Sequence, residues 1–173
     1  MSVYMNGKLL RLITLALFVA IGVIISPILR IEGMCPTASL INVVCAVFLG
    51  PYYALGCAAA IGIIRMALMG IPPLALTGMV FGATLSGFFY QAGKGKLIFA
   101  VLGEVIGTGI IGSTVSYPVM TFLWGRGELS LFYYTPLFLG ATLIGGGVAY
   151  ILLKAMQKTG VLSKTQLKLG RTI

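Results

Sequence analysis

Residues 33–64 read GMCPTASLINVVCAVFLGPYYALGCAAAIGII and contain no charged side chain. A helix rises about 1.5 Å per residue and a hydrocarbon core is about 30 Å thick, so one membrane span needs about 20 residues. This run of 32 residues is too long for one span, and its Gly50-Pro51 pair is typical of a turn. The stretch therefore predicts two short membrane helices joined at that pair.

Four more helices are predicted from the other neutral runs, which extend over 12–29, 66–93, 105–125 and 129–153. Within 66–93, Pro72-Pro73 interrupts the helix because proline lacks a backbone N–H and restricts the residue before it. We expect an all-α membrane protein with one integral membrane domain over 1–173. Its predicted helices lie near 9–29, 37–49, 52–69, 74–92, 97–123 and 133–153, followed by a basic tail at 154–173.

The composition fits this class and argues against several chemistries. Hydrophobic residues make up 59% of the chain and charged residues 9%, against about 25% charged in an average soluble domain. Histidine and aspartate are missing and the three cysteines have no CxxC spacing, so we expect no enzyme, metal site or cofactor. Residues 93–96 (GKGK) do not form a phosphate-binding loop, so any ATP must be hydrolysed by another chain.

Basic residues are distributed unequally between the two sides of the predicted membrane domain. Nine lie at the termini or in the connection at 93–96, whereas two lie on the opposite side, and the positive-inside rule then places both termini in the cytoplasm. We interpret the basic tail as a topology signal beside anionic lipid rather than as a nucleic-acid site. The nine are Lys8, Arg11, Lys94, Lys96, Lys154, Lys158, Lys164, Lys168 and Arg171, and the two are Arg30 and Arg126.

Two ionisable residues, Arg65 and Glu104, fall within predicted membrane spans. Charges at that depth are costly, so both are expected to face the protein interior and are candidates for ligand contact. A buried ion pair that fixes helix register is an equally good interpretation of the two.

Polar and aromatic side chains concentrate in the predicted extracellular half, the composition that a pocket for a small organic ligand requires. The candidate substrate-binding residues are Ser39, Asn42, Arg65, Thr77, Glu104 and Tyr117. Trp124, Tyr133 and Tyr134 are better explained as an aromatic belt at the membrane interface.

Pairs of small residues four apart occur on several predicted helices and allow close helix packing where lipid provides no hydrophobic drive. Internal packing is the favoured interpretation of Ala54/Ala58, Gly78/Gly82 and Gly103/Gly107. The pair Ala16/Ala20 lies on the first helix beside a smooth apolar surface, and we expect it to dock a partner.

Several short stretches of the chain form a distinctive set: 34–36 (MCP), 41–43 (INV), 49–51 (LGP), Arg65, 103–112 (GEVIGTGIIG) and 117–118 (YP). Together they resemble the ThiW family, and the likeness extends from about 15 to 150. The resemblance implies the substrate-binding S component of an energy-coupling factor (ECF) transporter in a bacterial or archaeal cell membrane. Such a component captures hydroxyethylthiazole, a thiamine precursor, and works with a transmembrane coupling protein and two cytoplasmic ATPases. In S components an Ala-x-x-x-Ala motif on helix 1 meets the coupling protein, and Ala16 and Ala20 match it.

The chain departs from the family pattern at two places near the expected ligand site. Ala38 and Ser39 stand where Gln and His are common, and 76–79 (LTGM) replaces Phe-Pro-Gly-Ser. The resemblance therefore implies hydroxyethylthiazole or a close analogue. Two alternatives stay open: an S component for another thiamine-related or vitamin-like heterocycle, and a ligand-free membrane scaffold subunit.

Overall fold

The computed structural model describes residues 7–127 and 129–171, and this part of the chain folds into helices without a β-strand. The expected all-α architecture is thereby confirmed. The predicted topology places Glu128 on the extracellular side of the membrane. This residue is not among those that the structure describes. The helices are α1 (Gly7–Ile25), α2 (Pro36–Leu49), α3 (Pro51–Met69), α4 (Leu74–Ala92), α5 (Leu97–Leu123), α6 (Thr135–Lys158) and α7 (Val161–Lys168).

Four of these helices, α1, α3, α5 and α6, are long and apolar enough to cross a membrane. Helix α2 is apolar but has only 14 residues, and α4 is not among the four. Multiple membrane crossings therefore agree with the structure, whereas the count of six crossings stays a prediction.

Two helices end four or five residues away from their predicted ends, whereas the other boundaries agree within two residues. Helix α1 ends at Ile25 instead of residue 29, because Pro27 cannot donate a backbone hydrogen bond and restricts Ser26. Helix α6 continues to Lys158 instead of ending at 153, since Lys154 and Lys158 are exposed and do not have to be buried in the apolar layer. The chain turns after it at Gly160, where φ is +71°.

Helix α5 is continuous but wider than an α-helix in two segments, Val105–Gly112 and Val119–Leu123, which are π-helical. The first segment contains three of the four glycines of the GEVIGTGIIG stretch. The second follows Pro118, whose missing N–H removes one helical hydrogen bond. Such widened turns frequently occur at functional sites.

Glycines allow α4 and α5 to pack with their backbones in contact. A Cβ atom on Gly103 would lie 2.5 Å from the Leu85 carbonyl oxygen, and one on Gly107 would lie 2.6 Å from the Cα atom of Gly82. Gly78 adjoins α5 in the same way, near Gly112. The glycine pairs Gly78/Gly82 on α4 and Gly103/Gly107 on α5 therefore serve internal packing, as their spacing predicted.

The described part of the basic tail packs against the helix bundle, and its role as a topology signal stays a prediction. Leu162 and Leu169 are buried against the bundle. Arg171 and Gln166 donate hydrogen bonds to the Val47 carbonyl at the end of α2. That carbonyl lacks its helical partner because Pro51, four residues later, has no N–H. The tail thus satisfies a backbone acceptor that the sequence of α2 and α3 leaves open.

The two ends of the described chain lie at the same end of the bundle. The Arg11 guanidinium, near the start of α1, donates to the carbonyls of Leu169 and Gly170. Arg171 also lies over the Tyr90 ring near the end of α4, 5.3 Å from its centroid. This arrangement agrees with an even number of crossings, and the cytoplasmic orientation of that end stays a prediction.

Candidate functional site

A cavity opens at the end of the bundle opposite the tail, between the α1–α2 connection and helices α2 to α6. The cavity volume is about 60 Å³, measured as the space open to the centre of a water-sized sphere. A cavity of this size suits a small molecule better than a large cofactor. Its polar lining includes Arg30, Ser39, Asn42, Arg65 and Thr108, and its apolar lining includes Met34, Ile71, Leu74, Met79 and Phe138.

Three of the six predicted ligand residues, Ser39, Asn42 and Arg65, line this cavity, and each is 2% exposed. Glu104 lies directly behind it. The structure does not bring Thr77 and Tyr117 into the lining. Thr77 instead lies 2.6 Å from Ser116, hydroxyl to hydroxyl.

The position of Thr77 outside the lining has a rotational cause. Successive residues of a helix point about 100° apart, so Gly78 lines the cavity while Thr77 faces α5. Depth follows from counting residues along the helix, but it does not determine the face.

Thr108 and Arg30 belong to the lining and were not among the predicted site residues. Thr108 follows Glu104 by four positions, and residues with that spacing share one face of a helix. This spacing was a signal that could have identified Thr108. Arg30 was treated only as a loop charge, and no sequence pattern places it at the cavity.

Asn42 is held by two hydrogen bonds from its amide nitrogen. This nitrogen donates to the Glu104 carboxylate over 3.1 Å and to the Met79 carbonyl over 3.2 Å. Both amide hydrogens are thus used within the protein, which leaves the amide oxygen as the group that Asn42 offers to a ligand.

Glu104 is completely buried and supports the cavity wall from behind. Besides Asn42, the Thr108 hydroxyl donates to its Oε1 atom over 3.0 Å. Gly82 leaves room for this cluster, since a Cβ atom there would approach the other carboxylate oxygen to 2.5 Å. The carboxylate therefore orients side chains that line the cavity.

Arg65 and Glu104 do not form the ion pair that was one interpretation of their positions. Within residues 7–127 and 129–171, the salt bridge present joins Arg126 to Glu32 over 2.7 Å at the surface. The Arg65 guanidinium instead approaches the Met79 sulfur, at 3.9 Å, and its Nε atom has no hydrogen-bond partner. The predicted depths of the two residues allowed contact, but the rotation of their helices separates them.

The predicted docking pair, Ala16 and Ala20, is exposed on α1. Both alanines line a shallow apolar groove with Leu12, Leu15, Val19, Val23, Ile24 and Ile64. The rest of α1 is also sparsely covered, and Gly22 is its buried residue, in contact with Ile61 of α3. The alanine pair is therefore accessible to another helix.

Comparison with known proteins gives one match. The sequence pattern of a family described as "Thiamine-precursor transporter protein (ThiW)" matches residues 12–159, a range that includes the cavity and nearly all of α1 to α6. No curated protein and no solved structure matches the chain.

Proposed function

The chain belongs to the ThiW family of thiamine-precursor transporters, and we propose that it is the substrate-binding S component of an ECF importer. Family membership together with several helices able to cross a bilayer makes it a multi-pass membrane transporter. The cavity lined by Ser39, Asn42 and Arg65 is the observation that carries the proposal. Its ligand is hydroxyethylthiazole or a close analogue.

The cavity offers groups that complement each part of this ligand. Met79 and Phe138 provide apolar contact for the thiazole ring. The free Asn42 amide oxygen accepts a hydrogen bond from the hydroxyl group, and the Arg65 guanidinium donates to the ring nitrogen. The small volume favours the thiazole over whole thiamine, because thiamine carries a second ring.

Uptake requires a partner, and the groove around Ala16 and Ala20 is the surface that we assign to it. Without hydrophobic drive in lipid, helices associate through close backbone approach, which small side chains permit. We assign this groove to the transmembrane coupling protein, which in turn engages two cytoplasmic ATPases. The cell membrane of a bacterium or archaeon, with both termini cytoplasmic, is the expected location.

Ligand binding by the purified chain tests the proposal. Hydroxyethylthiazole should raise the unfolding temperature and bind saturably, because it binds the folded state alone.

Asn42→Leu should weaken binding by about 1–3 kcal/mol in calorimetry, since it removes a buried acceptor. Thr84→Val, which removes a hydroxyl bonded within α4 away from the cavity, should leave affinity unchanged. Unaltered affinity in Asn42→Leu would remove Asn42 from the site.

The ligand screen also separates the alternatives. If only a different heterocycle binds, the result supports an S component for that heterocycle. If no ligand binds saturably, the result supports a ligand-free scaffold subunit.

Cysteine labelling tests the topology in sealed right-side-out membranes. A cysteine introduced at Lys164, on the exposed face of α7, should resist an impermeant maleimide, whereas one at the exposed Gly127 should react. The physical reason is the nine-to-two excess of basic residues at the tail end. Reaction of the Lys164 position from outside would reject the proposed orientation.

A further inference from the structure

Arg65 is a buried cation with no counter-ion among the described residues. Its side chain is 2% exposed, lines the cavity and has no hydrogen-bond partner at Nε. No carboxylate of the described residues lies within 4 Å of it, since Glu32 pairs with Arg126 and Glu104 is directed toward Asn42 and Thr108.

A second cation increases the positive potential of the cavity. Arg30 also lines the cavity and is exposed. The other polar groups of the lining are the Cys35 thiol, the Ser39 and Thr108 hydroxyls and the Asn42 amide, and none of them is a carboxylate. The cavity therefore has two positive charges and no negative charge among the described residues that line it.

This charge balance bears on the chemical class of the ligand. In the empty cavity, water can solvate the Arg65 guanidinium, and a ligand that enters must displace that water. A neutral ligand returns a single hydrogen bond to the ring nitrogen and leaves the buried charge uncompensated. An anionic oxygen group can accept two parallel hydrogen bonds from the guanidinium, and its negative charge compensates the buried positive charge.

We propose that the ligand is a thiazole carrying a compact anionic oxygen group, a carboxylate or a phosphate, which binds the Arg65 guanidinium at the base of the cavity. Arg30 attracts the same group at the mouth. The proposal rests on the proposed function and specifies the form of the precursor that the site prefers. The ring contacts Met79 and Phe138, as it would in the neutral alcohol.

Three thiazole probes and two ring-free anions, measured by calorimetry on the purified full chain, test the preference. The probes are hydroxyethylthiazole, its phosphate monoester and 4-methylthiazole-5-carboxylate, and the ring-free anions are inorganic phosphate and acetate. At least one anionic thiazole should bind about tenfold or more tightly than the alcohol, because the anion compensates the buried guanidinium charge and the alcohol does not. The ring-free anions should bind much more weakly, since they make no contact with Met79 or Phe138.

Substitutions at Arg65 assign the preference to its charge. Arg65→Gln should abolish the difference between anionic and neutral thiazoles, and Arg65→Lys should keep part of it. Arg126→Gln, which removes a surface cation outside the cavity, should leave the preference unchanged. If Arg65→Gln does not fold, the lysine variant and the probes on the unaltered chain still decide the question.

The outcomes separate this inference from the proposed function. Equal or tighter binding of the neutral alcohol would overturn the anionic preference while the S-component assignment stands. Inorganic phosphate as tight as the phosphate ester would also overturn it, because the ring would then contribute nothing. If none of the three thiazoles binds the folded chain, both proposals fail.

Discussion

Gly107→Ala should destabilise the protein by about 3 kcal/mol, the upper end of the range for overpacking. The added Cβ atom would lie 2.6 Å from the Gly82 Cα atom and 2.6 Å from the Phe81 carbonyl oxygen. Both are backbone atoms, so no side-chain rotation can relieve the clash, and α4 and α5 must separate. Thr108 on α5 donates to the Gly78 carbonyl across this contact, and Glu104 on α5 accepts from Asn42 of α2. Because a shift of α5 would disturb both bonds beside the cavity, ligand binding should fall as well.

Thermal unfolding of the purified variant measures this effect, and Gly56→Ala is the matched control. Gly56 lies in the middle of α3 with nothing within 4 Å of a Cβ atom. Alanine there should keep or slightly raise stability, since glycine costs a helix interior about 0.5–1 kcal/mol. Equal unfolding temperatures for the two variants would show that close contact between α4 and α5 is not required.

Replacing both Ala16 and Ala20 with tryptophan should abolish uptake in cells while the purified protein still binds its ligand. Both alanines line the exposed groove on α1, and neither lines the ligand cavity. Two indole rings would prevent the close backbone approach on which helix docking in lipid depends. Uptake of labelled ligand and calorimetry on the purified variant measure the two properties separately.

The control for this experiment is the pair Ile13 and Leu17, also changed to tryptophan. These residues are exposed on α1 with the same spacing of four, but they do not line the groove. Uptake should persist in this control variant at comparable membrane levels. Loss of ligand binding in the Ala16/Ala20 variant would show that the pair supports the fold, and normal uptake would reject the docking role.

The sequence by itself determined where most of the helices lie and what holds two of them together. Neutral runs interrupted by Gly50-Pro51 and Pro72-Pro73 predicted α2, α3 and α4 within one residue, because proline punctuation acts locally along the chain. The spacing of Gly103 and Gly107 also predicted close packing, since residues four apart share one helix face.

Three of the six ligand residues predicted from the sequence line the cavity, and for a clear reason. Polar or ionisable side chains within a membrane helix must face the protein interior, so Ser39, Asn42 and Arg65 were recognisable from residue type and depth alone. The same argument correctly placed Glu104 in the interior, although behind the cavity wall.

Only the tertiary structure decided which interior side chains meet. Depth follows from counting residues along one helix, but contact depends on how each helix is rotated and on its neighbours. For this reason Glu104 bonds to Asn42 and Thr108 instead of Arg65, and Thr77 faces Ser116 instead of the cavity. The same holds for the tail, where Arg171 reaches the Val47 carbonyl that Pro51 leaves unpaired, more than a hundred residues away in the chain. The charge left on Arg65, which underlies the proposed ligand preference, is likewise a consequence of this packing and not of any local pattern.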